Sequence, residues 1–290
     1  MTITSMTPGS RLPTPDSPVR LCRRLPFYHG DVAGMLAGAE ALLEGAAASG
    51  RPAIRWYVVS ERALVLGASQ KTPAVDLAAC RAAGVAVYQR SAGGATVLVD
   101  GDMLGLDVAL PHDDPLLARD LTASYQPIGA AWRAALRAFG VSAALVDVEQ
   151  ARASGRDTSA AAQLARLACF GGLSPYEVTV DGRKIVGLAQ VRRRYGGLFQ
   201  TALQLRWNAP LMSRLLTVSP GDRAALIAAL EERVVGLDRV MARPAACHEI
   251  IGALEHALGA HGLEPVDSAW TLAEKATMAW LLAERYRPLL

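Results

Sequence analysis

Three short segments carry side chains whose types and spacing can do chemistry. The first is Cys169-Phe170-Gly171-Gly172, followed by Ser174-Pro175. A thiolate is a strong nucleophile, and a cysteine in a glycine-rich loop has access to a reactant. Cysteine is also a common small buried hydrophobe, so both readings of Cys169 stay open on the residues alone. The second segment is Val180 to Gln190 (VDGRKIVGLAQ). Asp181-Gly182 sets a two-residue turn, and Lys184 then opens a strand from which it can project across a sheet. Gly187 within that strand marks a close approach by ligand or backbone. The alternative is a surface hairpin with a solvated basic pair. The third segment is Arg90-Ser91-Ala92-Gly93-Gly94-Ala95-Thr96. Adjacent glycines let backbone N–H groups form an anion-accepting nest, and Arg90 offers a fork for phosphate or carboxylate. A plain glycine turn has the same composition.

Composition narrows what these segments serve. The chain has 290 residues, 51% hydrophobic and 20% charged, enough apolar material for a full core. Thirty basic residues against 27 acidic ones leave a net charge of +3, which does not declare a nucleic-acid partner. Of the basic residues only Lys71, Lys184 and Lys275 are lysine. Lysine is a compact point charge that a site can desolvate, unlike arginine. The four cysteines, Cys22, Cys80, Cys169 and Cys247, are far apart and form no CxxC pair. The five histidines do not cluster, so no metal site is expected. No HExxH, GxSxG or P-loop pattern is present. Without a membrane-length apolar run or a signal peptide, the reading is a cytoplasmic protein with no membrane and no nucleic-acid partner.

The elements that must position the three segments follow from periodicity. Asp31 to Ala48 reads as a helix capped by Asp31 and stopped by Gly50. Strands are expected over 53–59, 63–66, 85–89, 97–99 and 103–110, with a short helix over 76–83 and a hairpin turn at Asp100-Gly101. A helix broken near Pro127 covers 120–139, a strand 141–148, and a loop 151–163. A three-stranded meander follows over 176–180, 184–190 and 197–205. Helices close the chain over 220–234, 247–261 and 271–286, the last opened by a Thr271/Glu274 capping box. The fold class is therefore α/β of the α+β kind, with a mixed, largely antiparallel sheet flanked by helices. Residues 1–20 read as a flexible tail, 21–208 as a catalytic domain, and 209–290 as a helical extension packed on it.

In this order the segments resemble the biotin/lipoate protein ligase catalytic family, over about Leu21 to Asn208. Met35 to Glu44 (MLAGAEALLE) resembles its first helix, and Ala63 to Gln70 (ALVLGASQ) its strand and turn. Gln89 to Asp102 (QRSAGGATVLVDGD) and Tyr176 to Gln190 (YEVTVDGRKIVGLAQ) carry the more specific likeness. The resemblance puts Lys184 on the family's catalytic lysine. It implies substrate contacts from Arg90, Ser91, Gly93, Gly94, Ala95, Gly187, Ala189 and Gln190, around an apolar tunnel for an eight-carbon acyl chain. Cys169-Phe170 matches the branch of octanoyltransferases that use a cysteine. That branch needs no cofactor; it passes the acyl group from acyl carrier protein, through the cysteine, to a lysine of a lipoyl-domain or glycine-cleavage H protein. The other branch, lipoate–protein ligases, uses Mg-ATP and no cysteine. A non-catalytic acyl or lipoyl-domain binder on the same fold is a third reading. Gln89, Ala95, Val99, Leu188 and Thr201 depart from the family's usual arginine, glycine, histidine, serine and histidine. The lost polar groups weigh more on the ATP-dependent chemistry.

Overall fold

The structure, a computed structural model, describes residues 19–290. All but the last two positions of the expected tail lie outside the described residues. In chain order the elements are β1 (Arg20–Arg24), β2 (Tyr28–Gly30), α1 (Val32–Ser49), β3 (Ala53–Val59), β4 (Ala63–Leu66), α2 (Leu77–Ala82), β5 (Ala86–Gln89), β6 (Val97–Val99), β7 (Met103–Pro111), α3 (Tyr125–Ala138), β8 (Ala143–Leu145), α4 (Val148–Arg156), α5 (Ala160–Ala165), β9 (Val178–Val180), β10 (Arg183–Arg193), β11 (Gly196–Gln204), α6 (Ala209–Leu215), α7 (Arg223–Arg233), α8 (Cys247–Gly259), β12 (Leu263–Asp267) and α9 (Leu272–Glu284).

The main sheet runs β12-β1-β3-β7-β11-β10-β9-β8, with β2 also on β3. From β3 to β8 every pairing is antiparallel, whereas β12, β1 and β2 join in parallel. A second, three-stranded sheet runs β5-β4-β6. The mixed, largely antiparallel architecture with flanking helices is thus present.

Strand alternation sorts the side chains of the main sheet between two layers. One face presents Ile54, Trp56, Leu104, Leu106, Val108 and Phe199 to α3 and α8, around the fully buried Trp132. The opposite face carries Ala53, Ala109, Val191 and Leu198 against Leu42, Leu43 and Ala46 of α1. Asp31 caps α1 by accepting from Gly34 N, and Gly50 ends it at φ 61. The C-terminal segment is tied to this layer. Arg23 on β1 donates twice to Glu274 on α9, at 2.7 and 2.9 Å. Residues beyond 209 also supply β12 to the sheet edge, so that region is not helical throughout.

Several local expectations are corrected. Asp100-Gly101 is not a hairpin turn: β6 pairs with β4 and β7 with β3 and β11, so the turn carries the chain from one sheet to the other. Pro127 does not break a helix, because α3 begins at Tyr125 and a first-turn proline forfeits no intrahelical bond. The expected loop over 151–163 is largely two short helices, α4 and α5. α4 starts at a capping box between Asp147 and Gln150 that its small polar composition conceals. β8 spans three residues of the longer strand expected there.

One buried ion pair holds α1 to the sheet. Arg55 on β3 and Asp107 on β7 are register partners, with Nη2 2.7 Å from Oδ2 and both side chains almost wholly buried. The guanidinium also donates to the Gly34 and Met35 carbonyls of α1. Asp107→Ala leaves that charge buried without a counter-ion, so stability is expected to fall by about 3–5 kcal/mol. A melt would report a drop on the order of 10 °C. The double variant Arg55→Met/Asp107→Leu is expected to regain most of it, and a melt no higher than the single variant would refute the assignment.

Candidate active site

Lys184 reaches the site through a distorted hairpin. Asp181 and Gly182 both have positive φ, 50 and 76, the geometry of a tight two-residue turn between β9 and β10. The register then slips between Lys184 and Val186, and such a bulge re-aims the side chain beside it. Lys184 ends only 1% exposed. Its Nζ lies 2.6 Å from Glu177 Oε1 and donates to the carbonyls of Cys169 (3.1 Å) and Gly172 (3.0 Å). The ammonium also lies 5.1 Å from the centre of the Phe170 ring. Three acceptors for three N–H bonds make Lys184 a clamp on the turn that presents Cys169.

Glu177 was not singled out from sequence, although it lies in the YEVTVDGRK run. Its carboxylate also accepts from Ser174 N (2.7 Å) and Leu188 N (3.2 Å). Burial pushes this carboxyl up from its ordinary value, opposed by the Lys184 ammonium and the two backbone N–H groups. Tyr125 lines the same cavity. Its phenol is pushed up to about 12, first by burial and then by the charge of Glu177.

Cys169 begins a short 3-10 turn, Cys169–Gly171, and is partly exposed. Its N–H donates to the Thr96 carbonyl at 2.8 Å, which couples the turn to the glycine loop. Arg90 does not reach out as a free fork. Its guanidinium donates to the Gly93 carbonyl (2.9 Å) and the Ala95 carbonyl (3.0 Å), folding the loop, with Nη2 3.8 Å from Cys169 Sγ. Gly94 has φ 98, and a Cβ there would stand 3.0 Å from Arg90 Nη2 and 3.7 Å from Sγ, so glycine is required. Gln89, in the family's arginine position, donates to the carbonyls of Gly67, Ala68 and Gln70.

Two cavities meet at the thiol. One, of about 400 Å³, is lined by Gly93, Gly94, Ala95, Cys169, Lys184, Ala189 and Gln190, with Tyr125 and Glu177. The buried Gln190 Nε2 has no partner among the described residues, so it is an unspent donor in that wall. The other cavity lies behind Cys169, between the two sheets and the first turn of α1. Met35, Leu36, Val65, Val97, Val99 and Phe170 make it apolar. Gly187, Ala189 and Ala202 leave room on the sheet face. The close approach at Gly187 is made by Phe170, whose ring would meet an added Cβ at 3.1 Å. Val99 and Thr201, the positions expected to hold histidines, line this second cavity. Thr201 is satisfied there by Trp132 Nε1 and the Leu106 carbonyl. Arg90 and Gly187 border the second cavity, so nine of the ten expected residues, Cys169 among them, line the two cavities. Ser91 does not, and faces a separate cleft.

Residues 31–259 match the family model of the lipoyl protein ligase A/B catalytic domain. The chain belongs to this family. Among its relatives is octanoyltransferase LipM of Moorella thermoacetica, 32% identical over 204 residues, covering 70% of this chain and 71% of the relative. Octanoyltransferase LipM of Kyrpidia tusciae is 31% identical over 240 residues, covering 80% and 84%. The bipartite lipoate protein ligase of Thermoplasma acidophilum shares the fold, with a TM-score of 0.73 at 20% identity over 92% of each chain. A lipoate-protein ligase A bound with ATP gives 0.72 at 20% identity over 92% of this chain and 95% of that one. Those likenesses identify the mixed sheet and its flanking helices as the lipoyl ligase fold. Among the described residues no helix is long and apolar enough to cross a membrane.

Proposed function

We propose that this chain is an octanoyltransferase that moves an octanoyl group from a carrier thioester to the acceptor lysine of a lipoyl-domain protein, through an acyl-Cys169 thioester. The observation that carries the reading is the Cys169 Sγ at the junction of a polar and an apolar cavity, 3.8 Å from the Arg90 guanidinium. A thiol at that junction meets a thioester carbon from the polar side, and the apolar cavity behind it, about 60 Å³ as it stands, takes the acyl chain by widening. The LipM relatives support the same reading.

The chemistry balances in two steps. Cys169 Sγ attacks the thioester carbon, the carrier sulfur leaves, and the cysteine proton ends on the carrier thiol. The lysine amine then attacks the acyl-Cys169 carbon, the amide forms, and one amine proton restores the Cys169 thiol. In both steps negative charge develops on the acyl oxygen. The unspent Gln190 donor and the Lys184 ammonium are the groups to meet it. For Lys184 to donate directly, it exchanges a backbone carbonyl for the acyl oxygen. Arg90 is spent on loop carbonyls and gives no free phosphate fork, which weighs against an ATP-dependent route. The acyl donor is a carrier protein, and the acceptors are lipoyl domains and the glycine-cleavage H protein.

The test is an intact mass of the protein after incubation with octanoyl–acyl carrier protein, without nucleotide. One octanoyl adduct, labile to hydroxylamine, is the expected result. An unmodified protein that instead transfers lipoate only with Mg-ATP would overturn the proposal and make the chain a ligase.

A further inference from the structure

A cleft of about 360 Å³ on the far side of the Arg90–Thr96 loop is lined by Arg90, Ser91, Arg193, Arg285, Tyr286 and Arg287, with no carboxylate in its lining. The arginines come from three separate stretches of chain: the end of β5, the end of β10, and the segment after α9. That last segment is anchored. Leu289 N donates to the Val87 carbonyl of β5, and Tyr286 Oη donates to Glu40. Glu40 also holds Arg285 at 3.0 Å. Arg193 and Arg287 are exposed, and neither has a carboxylate within salt-bridge distance among the described residues. Arg287 donates to the Ala283 carbonyl, Arg90 to its loop carbonyls and Arg285 to Glu40, so the cleft presents one uncommitted guanidinium, Arg193, beside three that are held with their remaining N–H groups free to turn to a ligand.

Its place relative to the thiol matters. Arg90 lines this cleft and the apolar cavity alike, and its Nη2 stands 3.8 Å from Cys169 Sγ. Ser91 faces the cleft, while Gly93 faces the cavity around Cys169. Two residues of chain span at most about 7 Å, so the two sites share one thin wall.

We propose that this cleft binds the phosphate of the donor's thioester arm, the 4′-phosphopantetheine of the carrier. The proposal rests on the acyl-transfer reading above. Planar guanidinium groups match phosphate oxygens two at a time, which lysines do not. The donor is the substrate whose reactive carbon is tethered to a phosphodiester. The acceptor brings a lysine that approaches as an ammonium and must shed a proton before it attacks, and guanidinium groups repel it. The cleft thus discriminates between the two protein substrates of one site. It loads the donor and leaves the acceptor to approach from elsewhere.

The test compares octanoyl-4′-phosphopantetheine with octanoyl-pantetheine as acyl donors to the full chain, read as the rate of acyl-Cys169 formation by intact mass. Wild type is expected to acylate on the order of 10-fold faster from the phosphorylated thioester at subsaturating concentration, and to lose that advantage at high salt. Arg193→Ala and Arg287→Ala are each expected to remove most of the advantage while leaving the rate from octanoyl-pantetheine unchanged. Equal wild-type rates from the two donors would overturn the proposal, as would variants that keep the preference. Variants that slow only deacylation by a lipoyl domain would assign the cleft to the acceptor and overturn it too. If neither small donor acylates wild type while octanoyl–acyl carrier protein does, this proposal falls and the acyl-transfer reading stands; if the carrier-protein donor fails too, both fall.

Discussion

Cys169→Ala is expected to lower octanoyl transfer by at least about 10⁴-fold and to abolish the covalent adduct, while the protein stays folded. The alanine variant loses the attacking atom and leaves binding groups in place. Residual catalysis then comes only from holding donor and acceptor together. The Sγ is partly exposed, and its recorded polar contact is a 3.8 Å approach by Arg90. Removing it should change the unfolding free energy by less than about 1 kcal/mol. Cys169→Ser is the sharper variant. A serine hydroxyl stays protonated where a thiol ionises, and no histidine lines either cavity to act as its base. Serine should therefore fail nearly as badly as alanine. Retained transfer by either variant would remove the thioester route.

Much of this site was legible in the sequence because its parts lie in runs whose local geometry is set by local residues. Asp181-Gly182 fixes the hairpin and glycine pairs mark the loop, so the segments were visible before the fold, while the roles of Cys169, Lys184 and the Arg90 loop came from the resemblance to the ligase family. What was not legible depends on pairing across the chain. Asp100-Gly101 has the chemistry of a hairpin, yet its flanking strands join different sheets, β6 pairing with β4 and β7 with β3 and β11, partners distant in sequence. Ser91 belongs to the loop in sequence, but β5 ends at Gln89 and the bend that follows turns Ser91 toward the C-terminal segment. Short strands at and next to the sheet edge, β12 and β1, carry no clear periodicity, with burial that mixes exposed and buried positions. The role of Arg90 also reversed on folding. Its charge was legible, but its commitment to the Gly93 and Ala95 carbonyls follows only from the loop's closed shape.

Lys184→Arg is expected to cost about 10²–10³-fold in kcat, although the charge is kept. The ammonium sits in a closed socket. Three acceptors surround it, Phe170 covers it, and Gly187 stands against its stem, with an added Cβ there only 3.4 Å from Lys184 Cε. A guanidinium is wider and planar, so it must push the Cys169 turn off β10 or leave Glu177 unmatched. Packing strain of about 1–3 kcal/mol would accompany the loss of rate. Lys184→Met gives the complementary result. It keeps the length, removes the charge, and leaves the Glu177 carboxyl buried without its partner, costing stability as a broken buried pair does. Adding Glu177→Gln removes the unmatched charge and should restore much of the melting temperature. If Lys184 matters only as the counter-charge of Glu177, activity should return with the fold in that double variant, even without the bonds to the Cys169 and Gly172 carbonyls. If its charge also meets the oxygen that becomes negative, kcat should stay low while KM recovers. Recovery of both would reduce Lys184 to a positioning residue, with Gln190 as the donor to test next.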